Sequence, residues 1–190
     1  MVRQLRSEPT TVPLHITARG VRRLALFRDD EDFEGYVDLL GRAATKFSWG
    51  VLSFSLLPNH VHLVFRLNEP NLGVGMKWLH CLYAKRFNRR YGFTGHAFDS
   101  RYASRPIESD DHFFRAIRYV ALNPVSAGLC RDPSDWPWSS FAGTAGEGAE
   151  FPFVRSGGVR AMYAPSRGDG ARAYAEAVRS KLADDLLVWA

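Results

Sequence analysis

Pro58-Asn59-His60-Val61-His62-Leu63-Val64-Phe65 is the stretch from which the rest of the chain can be read. A β-strand repeats every second residue, so His60 and His62 project from one face while Val61, Leu63 and Phe65 project from the other. Two imidazoles side by side are a candidate metal pair, but an isolated H-x-H also occurs on ordinary, partly solvated strands. Immediately upstream, Leu52, Phe54 and Leu56 alternate with Ser53 and Ser55. Pro58-Asn59 is a turn that folds this strand back on the histidine strand as a hairpin. Further upstream, Leu14, Ile16 and Ala18 alternate with His15, Thr17 and Arg19 in a first strand closed by Gly20. The alternation sorts Leu14, Ile16, Leu52, Phe54, Val61, Leu63 and Phe65 onto one face. His15, Thr17, Ser53, Ser55, His60 and His62 fall on the other.

Helical periodicity fills the intervals. Acids at Asp29 to Asp32 open a helix whose apolar positions Phe33, Tyr36, Val37, Leu40, Ala44 and Phe47 recur every three or four residues, up to Gly50. Asn71 is placed to cap a second helix with the stripe Leu72, Met76, Leu79, Tyr83 and Phe87. Gly92 and Gly95 interrupt it, and Ala103 to Ile107 reads as a short strand held to an edge by Pro106. Ser109, Asp110 and Asp111 open a third helix that Pro124 is expected to end near Asn123. The order β-α-β-β-α-β-α predicts an α+β, ferredoxin-like βαββαβ fold, an antiparallel sheet with two helices on one face, an extra helix, and the other face free. Trp136-Pro137-Trp138-Ser139-Ser140-Phe141 reads as an irregular cover. Gly143 to Gly148 and Arg155 to Gly170 read as flexible connections, and Tyr174, Val178, Leu182 and Leu186 predict a last helix over 171–189. The expected organisation is a catalytic domain over 1–143, then a glycine-rich connection and C-terminal helix over 144–190 with no assigned role.

Composition narrows the partners. Of 25 basic residues all but Lys46, Lys77, Lys85 and Lys181 are arginine, and the net charge is +5. Guanidinium forks match phosphate geometry, which favours a polyanion, although GC-rich coding also raises arginine. Cys81 and Cys130 are too few and too distant for a disulfide framework or a cysteine metal site. The N-terminus lacks the apolar core of a signal peptide, and no run of about 18 apolar residues exists, so a cytoplasmic protein without a membrane partner is expected.

The third helix supplies the second half of a site. At 100° per residue Phe113, Ile117 and Val120 lie on one side, while His112, Arg115, Tyr119 and Asn123 lie opposite. A divalent ion held by His60, His62 and the Asn123 carboxamide would keep positions open for a phosphate oxygen, and Tyr119 would attack phosphorus to give a covalent protein–DNA bond. A tyrosine on such a helix is also a common boundary residue with a packed ring and a wet hydroxyl. Lys85, Arg86, Arg89 and Arg90 interleave with Tyr83, Phe87 and Tyr91 as a groove for phosphates and unstacked bases would, or as a solvated helix face whose aromatics belong to the core. Arg19, Arg22 and Arg23 form a second basic cluster. His96, Arg101 and Arg115 are further candidate DNA contacts.

Four ordered blocks carry a resemblance: Leu57-Pro58-Asn59-His60-Val61-His62-Leu63-Val64, Gly95-His96-Ala97-Phe98 with Arg101-Tyr102, Arg118-Tyr119-Val120-Ala121-Leu122-Asn123-Pro124-Val125-Ser126-Ala127-Gly128-Leu129, and Trp136-Pro137-Trp138-Ser139-Ser140-Phe141. Together, over about residues 9 to 143, they resemble the REP-associated tyrosine transposases, HUH single-strand nucleases related to the transposases of small insertion sequences. The resemblance implies a Mg²⁺- or Mn²⁺-dependent enzyme that cuts single-stranded DNA beside an imperfect hairpin, leaving a 5′-phosphotyrosine and a free 3′-hydroxyl. It assigns His60 and His62 to the metal pair, Tyr119 to the nucleophile and Asn123 to the additional ligand. Ser126 stands where the family commonly has arginine, and Asp99-Ser100 stand where glutamine-glycine is usual. Relatives of this kind act as monomers or as homodimers. Two other readings stay open: a domesticated hairpin-binding regulator without cleavage, and a different metal-dependent hydrolase in which Tyr119 is inert.

Overall fold

The computed structural model describes residues 9–164 and 168–180. Four strands, β1 (Leu14–Arg19), β2 (Gly50–Leu57), β3 (His60–Arg66) and β4 (Ala103–Pro106), form one antiparallel sheet in the order β2-β3-β1-β4. With α1 (Asp30–Lys46) after β1 and α2 (Leu72–Tyr91) after β3, this is the expected ferredoxin-like arrangement. Leu14, Ile16, Val61, Leu63 and Phe65 bury against Phe33, Tyr36, Leu40, Met76, Leu79 and Tyr83 of the two helices. Asp29 accepts a hydrogen bond from Asp32 N and starts α1, as its acids require. Asn71 precedes α2 but does not cap it. Its carboxamide ties down the α1–β2 corner, accepting from Trp49 Nε1 at 2.9 Å and donating to the Phe47 carbonyl at 3.0 Å.

The second face of the sheet is only partly free. α3 (Asp110–Ser126) lies across it and, with α4 (Phe141–Ala145), α5 (Ser156–Tyr163) and α6 (Gly170–Arg179), builds a second core from Ile117, Val120, Phe141, Val159, Tyr174 and Val178. Leu52 belongs to this core rather than to the α1–α2 side. A β-bulge between Val51 and Ser53 inserts one residue and turns Leu52 to the α3 face. Residues 156–163 form a helix instead of a glycine-rich connection, because burying Val159 against the second core compensates for Gly157 and Gly158. The predicted final helix is seen over Gly170–Arg179, and residues 181–190 lie outside the described residues.

α3 also continues past Pro124. The proline removes one donor, that for the Val120 carbonyl, while Leu122, Asn123 and Pro124 are buried and hold the turn in place. The helix ends instead in a Schellman motif: Gly128, at φ +70°, donates to Val125 O and Leu129 donates to Pro124 O. The Trp136–Phe141 segment closes the outer edge of β2, with Leu56 N donating to Trp138 O, Ser140 N to Phe54 O, and Trp136 Nε1 to Leu56 O. Trp138 stacks on Phe33 at 5.0 Å.

Candidate active site on the open half of the sheet

The antiparallel register decides which residues share the open face. Thr17 pairs with His62, Arg19 with His60 and His15 with Arg105, so all six project to the same side. α3 crosses this side with Tyr119 and Asn123 turned toward the strands. The Tyr119 ring meets His62 edge-on at 5.2 Å and His15 at 6.0 Å, and Asn123 Oδ1 lies 3.3 Å from His60 Nε2. These groups, with Asp99, Ser100 and Arg101 from the segment before β4, line a cavity of about 450 Å³.

The hydrogen bonds orient His60. Asn59 Nδ2 donates to the Arg23 carbonyl at 3.2 Å, which fixes the amide and leaves Oδ1 facing His60 Nδ1 at 2.7 Å. Nδ1 faces an acceptor and so carries a proton, and Nε2 faces the Asn123 carboxamide. His60 Nε2 and the Asn123 carboxamide, 3.3 Å apart, are placed so that both could hold one cation. Burial lowers the His60 pKa, the Asn123 contact partly opposes this, and Arg19 lowers it further. His62 is held well below the usual imidazole value by burial first and then by His15, His60 and Arg19. Both rings are thus neutral near pH 7, as metal ligands must be. Asn123 offers a carboxamide as a further donor beside the histidines, and among the described residues no trio of His, Cys, Asp or Glu is placed to hold a metal.

His15 is the residue that sequence reading left out of the site. Its Nε2 lies 3.1 Å from His62 Nδ1, the rings stack at 5.3 Å, and burial, Arg105 and His112 bring its pKa down to about 4. Asn59 and Arg105 were likewise not singled out. The alternation in β1 already placed His15 on the polar face, but only the register brings His15, Arg105 and His62 together.

The candidate DNA contacts divide by place. Arg19 and Arg101 line the cavity. Arg22 and Arg23 sit in an exposed 3₁₀ turn after β1, with left-handed φ of 53° and 62°. His96 is exposed in the segment whose Ala97 carbonyl accepts from Val21 N beside that turn. Arg115 projects from α3 and pairs with Asp111 at 3.1 Å. Lys85, Arg86, Arg89 and Arg90 lie on α2, across the sheet from the histidines, in a groove they share with Glu31, Glu34 and Asp38 of α1. Arg86 pairs with Glu31, and Arg90 with Asp29, Glu31 and Asp32. Tyr83 and Phe87 are core residues.

Against this geometry, the family model described as "Transposase IS200 like" matches residues 10–123 and so takes in every strand, Tyr119 and Asn123. The chain belongs to that family. Proteins similar to it include the REP-associated tyrosine transposase of Escherichia coli K12, 27% identical over 45% of this chain and 50% of the relative. A second is a REP-associated tyrosine transposase, named as putative, from Haemophilus influenzae Rd, 25% identical over 50% of this chain and 60% of the relative. The chain thus matches half to three-fifths of these relatives' length. A solved REP-associated tyrosine transposase bound to a REP hairpin has the same fold, with a TM-score of 0.64 at 18% identity over 80% of this chain and 90% of that one. Among the described residues no helix is long and apolar enough to cross a membrane.

Proposed function

We propose that this transposase-family protein is a metal-dependent single-stranded DNA endonuclease and strand transferase that acts at hairpins through Tyr119. The observation that carries the proposal is the convergence of Tyr119 and Asn123 from α3 on His60 and His62 from β3. The hairpin substrate is supported by family membership and by the hairpin that the structurally similar transposase binds. His60 Nε2, His62 and Asn123 Oδ1 would hold Mg²⁺ or Mn²⁺, which supplies Lewis-acid polarisation of a phosphate oxygen. Tyr119 Oη forms a bond to phosphorus as the bond from phosphorus to the 3′ oxygen breaks. The proton lost by the phenol is balanced by the one the leaving 3′-hydroxyl gains, and the 5′ end stays on the enzyme as a phosphotyrosine. Attack by another 3′-hydroxyl reverses the step and joins strands. Arg19, Arg101 and Arg105 line the cavity and supply the fixed positive field for the phosphate.

The test is incubation with end-labelled single-stranded DNA carrying a hairpin, with and without Mn²⁺, followed by denaturing electrophoresis. Wild type should yield a metal-dependent covalent adduct, and Tyr119→Phe should lower it by about a thousandfold or more. An equal adduct from Tyr119→Phe, or no adduct from wild type on hairpins that it binds, overturns the proposal.

A further inference from the structure

We infer that His15 is a positioning residue whose Nε2 accepts a hydrogen bond from His62 Nδ1, so that His62 presents Nε2 to the metal. The inference rests on the metal-site reading above. His62 Nδ1 and His15 Nε2 are 3.1 Å apart in a buried contact, and the two rings are stacked with an interplanar angle of 26°. A hydrogen bond between two imidazole nitrogens uses one proton. With that proton on His15, His62 Nδ1 becomes the acceptor, the ring keeps its proton on Nε2, and no lone pair is left for a cation. With it on His62 Nδ1, the Nε2 lone pair is free. The Nδ1 side of His62 is already turned to His15, so Nε2 is the nitrogen available to the cavity.

His60 is served in the same way by a different residue. Asn59 Oδ1 accepts from its Nδ1 at 2.7 Å, and Asn59 is itself anchored on the Arg23 carbonyl. Both histidines of the pair thus have Nδ1 occupied by a protein group and Nε2 turned inward, the usual device for fixing the tautomer and ring orientation of a metal-ligating histidine. His15 takes this place because Thr17 is opposite His62 and His15 lies two residues away on the same face of β1, within diagonal reach. Its neutral acceptor also adds no negative charge to a cavity that must admit a phosphate.

Two measurements on the full chain test this. The first is the ¹⁵N tautomer pattern of His62 by long-range ¹H–¹⁵N NMR in Mg²⁺. A proton on Nδ1 supports the inference, and one on Nε2 overturns it. The second is the dissociation constant for Mn²⁺, by electron paramagnetic resonance, for wild type, His15→Phe, His15→Gln and His60→Ala. His15→Phe should bind Mn²⁺ about tenfold to a hundredfold more weakly, whereas His15→Gln, which keeps an acceptor oxygen near the Nε2 position, should stay within about threefold. His15→Phe binding like wild type, or a folded His15→Gln as weak as His15→Phe, overturns the inference. Mn²⁺ binding that is unaffected in His60→Ala would sink the metal-site reading instead, and the His62 tautomer would still decide the role of His15. Should His15→Phe fail to fold, His15→Gln and the wild-type spectrum decide.

Discussion

The cavity over β1, β3 and α3 and the groove between α1 and α2 carry similar basic residues and have opposite surroundings. In the cavity Arg19, Arg101 and Arg105 share their space with three histidines, Tyr119 and Asn123, and the carboxylate among the lining residues is Asp99. In the groove Arg86 and Arg90 meet Glu31, Asp29 and Asp32 at 2.6 to 3.0 Å, and Glu34 and Asp38 line the same wall. A run of arginines in sequence therefore says little until the element packed against it is known. One set lines a cavity beside the histidines, and the other joins two helices.

The largest effect that would break this contrast is on stability. Asp32 is 1% exposed and accepts from Arg90 Nη1, Tyr91 Oη and Arg28 N. Asp32→Ala leaves those donors without their buried acceptor and should cost about 3 kcal/mol in urea unfolding, while hairpin binding by the folded protein is unchanged. A loss of hairpin affinity in folded Asp32→Ala would mean that the groove also serves DNA. Next in size, Arg19→Ala with Arg105→Ala should weaken hairpin binding about tenfold or more at moderate salt and lower the salt dependence by roughly two phosphate contacts. Arg86→Ala with Arg89→Ala should leave both quantities near wild type, measured by fluorescence anisotropy over a salt series. The reverse pattern would move the DNA path to the helix side.

How much of this was legible in the sequence follows from the range of the interactions involved. The strands around His60 and the apolar stripe of α1 depend on neighbours within one or two turns, and periodicity exposed them. Leu52 was misplaced because nothing local announces a bulge. Pro124 sits inside α3 because burial of its neighbours outweighs one missing donor, a tertiary effect that propensity does not contain. α5 forms through Gly157 and Gly158 for the same reason. At the site, helical phase put Tyr119 and Asn123 on one polar stripe of the third helix, and the family resemblance matched that stripe to the histidines. His15, Asn59 and Arg105 depend on which residue of β1 lies beside which of β3 and β4, and on one turn carbonyl, so their partners appear only in three dimensions.

The smallest expected effect separates a half-buried histidine that packs from histidines that could do chemistry. His80 of α2 lies on the helix side, with Nε2 3.2 Å from Tyr36 Oη and its ring stacked on Phe98 at 4.0 Å. Burial lowers its pKa to about 3. Below pH 6.5 the unfolded chain binds a proton at this position that the folded chain refuses, so His80 subtracts stability as the pH falls from 6.5 toward 3, and has no such effect above 6.5. At pH 5.5 this amounts to about 1.4 kcal/mol relative to neutral pH. His80→Phe removes the titrating group while keeping a ring against Phe98. Its stability, whatever its value at pH 7.5, should therefore fall less steeply than wild type between pH 6.5 and 5 in urea titrations. Parallel curves would show that His80 takes up a proton in the folded state and that its neighbourhood admits water. In that case neutrality of the cavity histidines could no longer be argued from burial alone, because acceptors on their Nδ1 atoms fix the tautomer and not the charge.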